Sequence, residues 1–151
     1  MSQSLSNVLV HVTFSTKERQ ALLRPNSLRT ELHRYLAGIS SQLDCPSIAI
    51  GGTEDHVHVL ARQSRTLCLA DWIKELKRGS SLWIKTKSPA FATFRWQAGY
   101  GAFSVSQSQS GRVDRYIAGQ EEHHRRFSFQ DELRQLLLKH GIAFDERYVW
   151  D

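Results

Sequence analysis

The chain has 151 residues, 40% of them hydrophobic and 23% charged, the mix of one soluble domain with a packed core and not of a disordered chain. Twenty Lys and Arg against fifteen Asp and Glu leave a charge of +5 and a pI near 9.5, which suits a polyanionic partner and equally a solvated basic surface. No apolar run matches a membrane span and the Met1–Ser6 start lacks the order of a signal peptide, so a cytoplasmic protein without membrane contact is expected.

In chain order, Asn7–Phe14 is dense in β-branched and aromatic residues and predicts a first strand. Pro25 and Asn26 punctuate the polar stretch after it. Leu28, Leu32, Tyr35, Leu36, Ile39 and Leu43 then recur at helical spacing, predicting a helix to about Leu43. Pro46–Ile50 reads as a second strand, Gly51-Gly52-Thr53 as a turn and His56–Arg62 as a third strand. A second helix is predicted over Leu69–Lys85, with Leu69, Trp72, Ile73, Leu76 and Leu82 on its apolar side. A fourth strand is expected near Tyr100–Val105, then a helix over Arg112–Arg125. A last helix begins at Ser128, capped by that serine with Asp131 as capping-box partner, and stops at Gly141. Cys45 and Cys68 show no disulfide framework and no zinc-ribbon spacing, and read as reduced, buried thiols.

The order β-α-β-β-α-β is the split βαβ, ferredoxin-like or RRM-like α+β arrangement. It predicts a four-stranded antiparallel sheet with helices on one face, followed here by C-terminal helices, all within one domain over residues 1–151.

Three groups of residues carry chemistry. Side chains alternate along a strand, so His56 and His58 share one face of the third strand while Val57 and Val59 enter the other. Two imidazoles roughly 6–7 Å apart at Cα can converge on one divalent cation. The tripeptide alone fits two ordinary solvent-facing histidines as well. Tyr116 and Gln120 lie four apart and share a helix face. There the amide oxygen can complete a His–His metal shell, and a phenol beside a cation can act as a nucleophile. A tyrosine at such spacing otherwise packs in a core. Gly119 favours a bend in that helix, and His124 reads as a surface histidine, with a metal or proton role as the alternative.

The third group is the basic second helix, with Lys74, Lys77, Arg78, Lys85 and Lys87 opposed between positions 74 and 87 only by Glu75. Lys74, Lys77 and Arg78 form a stripe opposite the apolar side that suits a phosphate backbone, or simply solvent. Ser80 and Ser81 can add hydrogen bonds to phosphate. Gly99-Tyr100-Gly101 allows close backbone approach and offers Tyr100 as a plane for base stacking.

Several segments together resemble the single-tyrosine HUH transposases, small enzymes of insertion sequences that move as single-stranded DNA. The resemblance runs through Val12–Lys17, Gly51–Leu60 with its His56-Val57-His58, Trp96–Val105, Tyr116–His124 and Asp145–Trp150. It implies that His56, His58 and Gln120 hold one Mg²⁺ or Mn²⁺ and that Tyr116 attacks the scissile phosphate. That attack would give a 5′-phosphotyrosine and a free 3′-hydroxyl. It further implies a homodimer acting on single-stranded DNA that carries hairpins, with Tyr116 serving its own subunit or its partner. The REP-associated tyrosine transposases are domesticated relatives that process chromosomal repeats. Two other readings stand beside this one: a non-catalytic single-stranded nucleic-acid-binding module built like an RNA-recognition domain, and a hydrolase in which a metal-bound water attacks.

Overall fold

A computed structural model describes residues 2–151. Along the chain run β1 (Leu9–Ser15), α1 (Asn26–Gln42), β2 (Ser47–Gly52), β3 (His56–Arg62), α2 (Leu69–Lys85), β4 (Gly101–Val105), α3 (Ser110–Ala118), α4 (Gln120–His123) and α5 (Phe129–Lys139). The strands form one antiparallel sheet in the order β2-β3-β1-β4, the split βαβ arrangement that the element order predicts. Gly51 and Gly52 differ from the expected turn: they extend β2, opposite His58 and Val57.

Period-two alternation sorts the central strands. Val12 and Phe14 of β1, with Val57, Val59 and Ala61 of β3, enter a core closed by Leu32 and Leu36 of α1 and by Trp72, Ile73 and Leu76 of α2. Two buried indoles are satisfied there, Trp72 donating to Ser40 at 2.9 Å and Trp96 to Ser80 at 3.0 Å. Leu82, expected on the apolar side of α2, is exposed, and Ile84 is buried instead. Six residues beyond Leu76 the helix has turned by roughly 600°, which carries Leu82 off the buried stripe. Cys45 is buried, but Cys68 is exposed where the chain enters α2, contrary to expectation.

The C-terminal helices cover the opposite face of the sheet. Leu9 and Leu60 pack against Ile117 and Val113 of α3, and Phe103 of β4 packs against Phe129, Leu133 and Leu137 of α5. Gly51 makes the close approach of α3 feasible: a Cβ there would lie 2.6 Å from the carbonyl oxygen of Ile117. The helix expected over 112–125 is broken at Gly119 (φ −92°, ψ 15°) into α3 and α4. Ser128 caps α5 by accepting the Asp131 amide at 3.1 Å. The Asp131 carboxylate turns to Arg134 instead, so only half of the expected box forms. Gly141, at φ 67°, follows the end of α5. Among the described residues, no helix is long and apolar enough to cross a membrane.

Candidate active site

The side chains that alternation sends to the second face of the sheet build the site. His56 and His58 of β3 and His11 of β1 point there, beneath α3, α4 and α5, and all three are buried. Solvent-facing histidines are thereby excluded. His56 Nδ1 lies 2.7 Å from Asp55 Oδ1 and 3.1 Å from the Thr53 hydroxyl, which directs Nε2 inward. His58 Nδ1 lies 2.8 Å from His11 Nε2, so its Nε2 also points inward. These are the outer-ring contacts that orient metal-binding imidazoles.

From the other side, the break at Gly119 still leaves Tyr116 and Gln120 on one face. Gln120 is buried, with Oε1 2.8 Å from His56 Nε2. Tyr116 is half-buried, its ring edge-on to His58 at 5.8 Å and to His11 at 6.1 Å. The tyrosine therefore meets the histidines of its own chain. Tyr116 lines a cavity of about 1020 Å³, whose walls also include Phe103, Arg112, His123 and Arg134.

At the centre stands Glu132 of α5, a residue that no motif in the sequence singles out. Its Oε1 is 2.8 Å from His58 Nε2 and its Oε2 accepts from the Gln120 amide at 2.9 Å and from the Tyr116 hydroxyl. Nε2 of His123 and of His124 lie 3.3 and 3.2 Å from its oxygens, off the hydrogen-bonding direction. Both nitrogens are buried without a hydrogen-bond partner among the described residues. His124 is thus no surface histidine: its side chain is only 10% exposed. A capped amphipathic helix carrying an acid is legible in the sequence, but nothing local marks Glu132 as inward-facing.

Electrostatics follow from this crowding. Burial would raise the Glu132 carboxyl, but His124 and His58 outweigh it and hold the group well below the ordinary carboxylate range. Burial, then the Glu132 charge, pushes the Tyr116 phenol above its ordinary value. Burial, then His58, lowers His11 to about 3, which keeps it neutral at pH 7. An anionic carboxylate ringed by imidazoles and a neutral amide is a donor set that a divalent ion fits.

On the far face, Lys74, Lys77, Arg78, Lys85 and Tyr100 line one groove of about 540 Å³, joined by Arg95 and Ser81. Lys77 departs from a solvated stripe: its ammonium donates to the carbonyls of Gln97, Ala98 and Gly99 at 2.8–3.0 Å, and burial lowers it to about 8. Lys87 lies outside that groove and pairs with Glu31 at 2.8 Å. Ser80 is buried under Trp96, which removes it from the groove surface.

Fold and site together define a small α+β protein with a metal-competent, tyrosine-bearing centre on the covered face of its sheet. The chain belongs to the IS200-like transposases, whose family model matches residues 4–120, and its activity is of the transposase type. That segment contains His56, His58, Tyr116 and Gln120 and ends before His124 and Glu132. Among solved structures, a presumptive transposase from Deinococcus radiodurans R1 is similar at 23% identity and a TM-score of 0.62, over 80% of this chain and 98% of that one. A REP-associated tyrosine transposase bound to a REP hairpin is similar at 13% identity and a TM-score of 0.59, over 82% of this chain and 74% of that one. At these identities the likeness concerns the fold. No curated protein matches the sequence.

Proposed function

We propose that this transposase nicks and rejoins single-stranded DNA at hairpin-marked ends, with Tyr116 as the nucleophile. The observation that carries the reading is the convergence of the Tyr116 hydroxyl, His56, His58 and Gln120 on the one Glu132 carboxylate, beside a cavity that Tyr116 lines. The phenol oxygen would bond to phosphorus as the bond to the 3′-oxygen breaks, leaving a 5′-phosphotyrosine and a free 3′-hydroxyl. A later 3′-hydroxyl reverses the step, so no nucleoside triphosphate is consumed.

His56, His58 and Gln120 would hold Mg²⁺ or Mn²⁺, which supplies Lewis-acid polarisation of the phosphate and offsets the charge of Glu132. Asp55 and His11 keep the two imidazoles aimed. Glu132 fixes the direction of the phenol oxygen. The packing of α3 and α5 covers this face of the sheet. That same cover disfavours the RNA-recognition reading, because the sheet face that would stack bases is occupied.

Lys74, Arg78 and Lys85 would contact hairpin phosphates along the far groove, with Tyr100 available for stacking and Lys77 holding the Gln97–Gly99 backbone. A homodimer is carried over from the family; the single chain already brings Tyr116 to its own His58.

The test incubates the protein, Mg²⁺ or Mn²⁺ and 3′-end-labelled single strands with hairpins, then looks for label on denatured protein. An adduct that disappears with Tyr116→Phe and with chelator is expected. Cleavage that persists in Tyr116→Phe would mean that water attacks instead.

A further inference from the structure

We propose that His124 and Glu132 are themselves ligands of the divalent ion, so that the shell comprises three imidazoles and a carboxylate and prefers Mn²⁺ and later first-row ions to Mg²⁺. The proposal rests on the metal-assisted reading above and lies outside the family-matched segment, which ends at Gln120.

The donor atoms of this buried space converge on one point. Asp55 accepts from His56 Nδ1, which turns Nε2 inward. That nitrogen faces Gln120 Oε1 at 2.8 Å, the amide nitrogen being committed to Glu132. His124 is held in the same way: its Nδ1 donates to the carbonyl of Phe127 at 2.6 Å, and its Nε2 lies 3.2 Å from Glu132 Oε1.

Three Nε2 atoms thus surround one carboxylate oxygen, His58 at 2.8 Å, His124 at 3.2 Å and His56 at 3.5 Å. One divalent ion placed there would be within reach of all four side chains. One ligand atom from each of His56, His58, His124 and Glu132 lies within 4.8 Å of all the others. Octahedral bonds near 2.1 Å separate ligand atoms by roughly 3 Å across an edge and 4 Å across the ion, so little contraction is needed.

Each imidazole is also held at its outer nitrogen, His56 by Asp55, His58 by His11 and His124 by Phe127. Gln120 Oε1 stands at the rim as a fifth donor. Mg²⁺ favours an all-oxygen, largely hydrated shell, whereas imidazole-rich sites favour transition ions.

The test titrates Mn²⁺ into the DNA-free full chain, reading the free-ion electron paramagnetic resonance signal, with Mg²⁺ as competitor. Glu132→Gln and His124→Asn are each expected to weaken Mn²⁺ binding more than tenfold, while a hundredfold excess of Mg²⁺ leaves the wild-type ion in place. Spin-echo modulation of Mn²⁺ in the unaltered protein should count three imidazole nitrogens, a readout that requires no variant to fold. Two nitrogens, or variants that bind within twofold of wild type while His56→Ala does not, would overturn the proposal and leave the two-histidine reading intact. A wild-type chain that binds no Mn²⁺ would overturn both.

Discussion

The Tyr116 hydroxyl donates its proton to Oε2 of Glu132, a carboxylate that reaches the phenol from a separate helix sixteen residues further on. The contact aims the nucleophile and, together with burial, keeps it protonated while the carboxylate charge is uncompensated. Tyr116→Phe is expected to abolish the covalent adduct. It should change folding stability by no more than about 1 kcal/mol, since Glu132 retains Gln120 and the imidazoles. Adduct formation and a urea transition on the same preparation check both halves.

Gly51 sets how close α3 comes to the sheet. In Gly51→Ala the new methyl would meet the Ile117 carbonyl oxygen at 2.6 Å and its Cγ2 at 2.8 Å, so α3 must shift. A destabilisation of about 1–3 kcal/mol is expected, with loss of adduct as Tyr116 moves off line. Gly38→Ala, with nothing within 4 Å in the middle of α1, should be neutral or stabilising by up to about 1 kcal/mol. Equal effects at the two positions would refute the close-approach argument.

Lys74, Arg78 and Lys85 line one groove and are predicted to bind phosphate. Replacing each by Ala should weaken hairpin binding across sequences and reduce the salt slope by about 0.7–0.9 for every phosphate no longer neutralised. Lys77→Met should act differently, loosening the Gln97–Gly99 backbone and lowering stability, because its ammonium is committed to three carbonyls. Fluorescence anisotropy over a salt series separates the two behaviours, and an unchanged slope in the triple variant would remove the groove from the DNA interface.

His33 on α1 is held to about 4 by burial and by Arg29, and its Nε2 is buried without a partner among the described residues. Its folded value lies below its unfolded one, so the unfolded chain takes up more protons between about pH 6.5 and 4. Its contribution should be complete above pH 6.5 and fall as the pH drops through that window. The loss is of order 1 kcal/mol by pH 4.5 after allowance for partial exposure. Denaturant midpoints at pH 7 and pH 4.5 should show a smaller acid loss in His33→Gln; an identical loss would assign the acid sensitivity elsewhere.

Alternation and helical spacing make much of this molecule readable. The bounds of β3 and α2 follow from their patterns, and His56-Val57-His58-Val59 declares two faces before any partner strand is known. The four-residue step from Tyr116 to Gln120 survives even the break at Gly119. Gly51 and Gly52 read as a turn because glycine is permissive in turns, whereas they are strand residues kept small by a helix above them. Leu82, Cys68, Lys77 and Ser80 escape a sequence reading for a related reason: a helix pattern indicates a buried stripe but not which neighbours a given side chain meets.

The amino-acid order by itself determined the succession of strands and helices, the pairing of the two histidines on one face and that of the tyrosine with the amide, because these depend on backbone periods of two and 3.6 residues. Only the tertiary structure decided that Glu132 stands among them, that His124 is turned inward, and that Lys77 serves a loop. His58 and Glu132 are 74 residues apart. Such meetings are set by how α3 and α5 pack on the sheet, a property of shape and burial summed over the whole chain that no local spacing records.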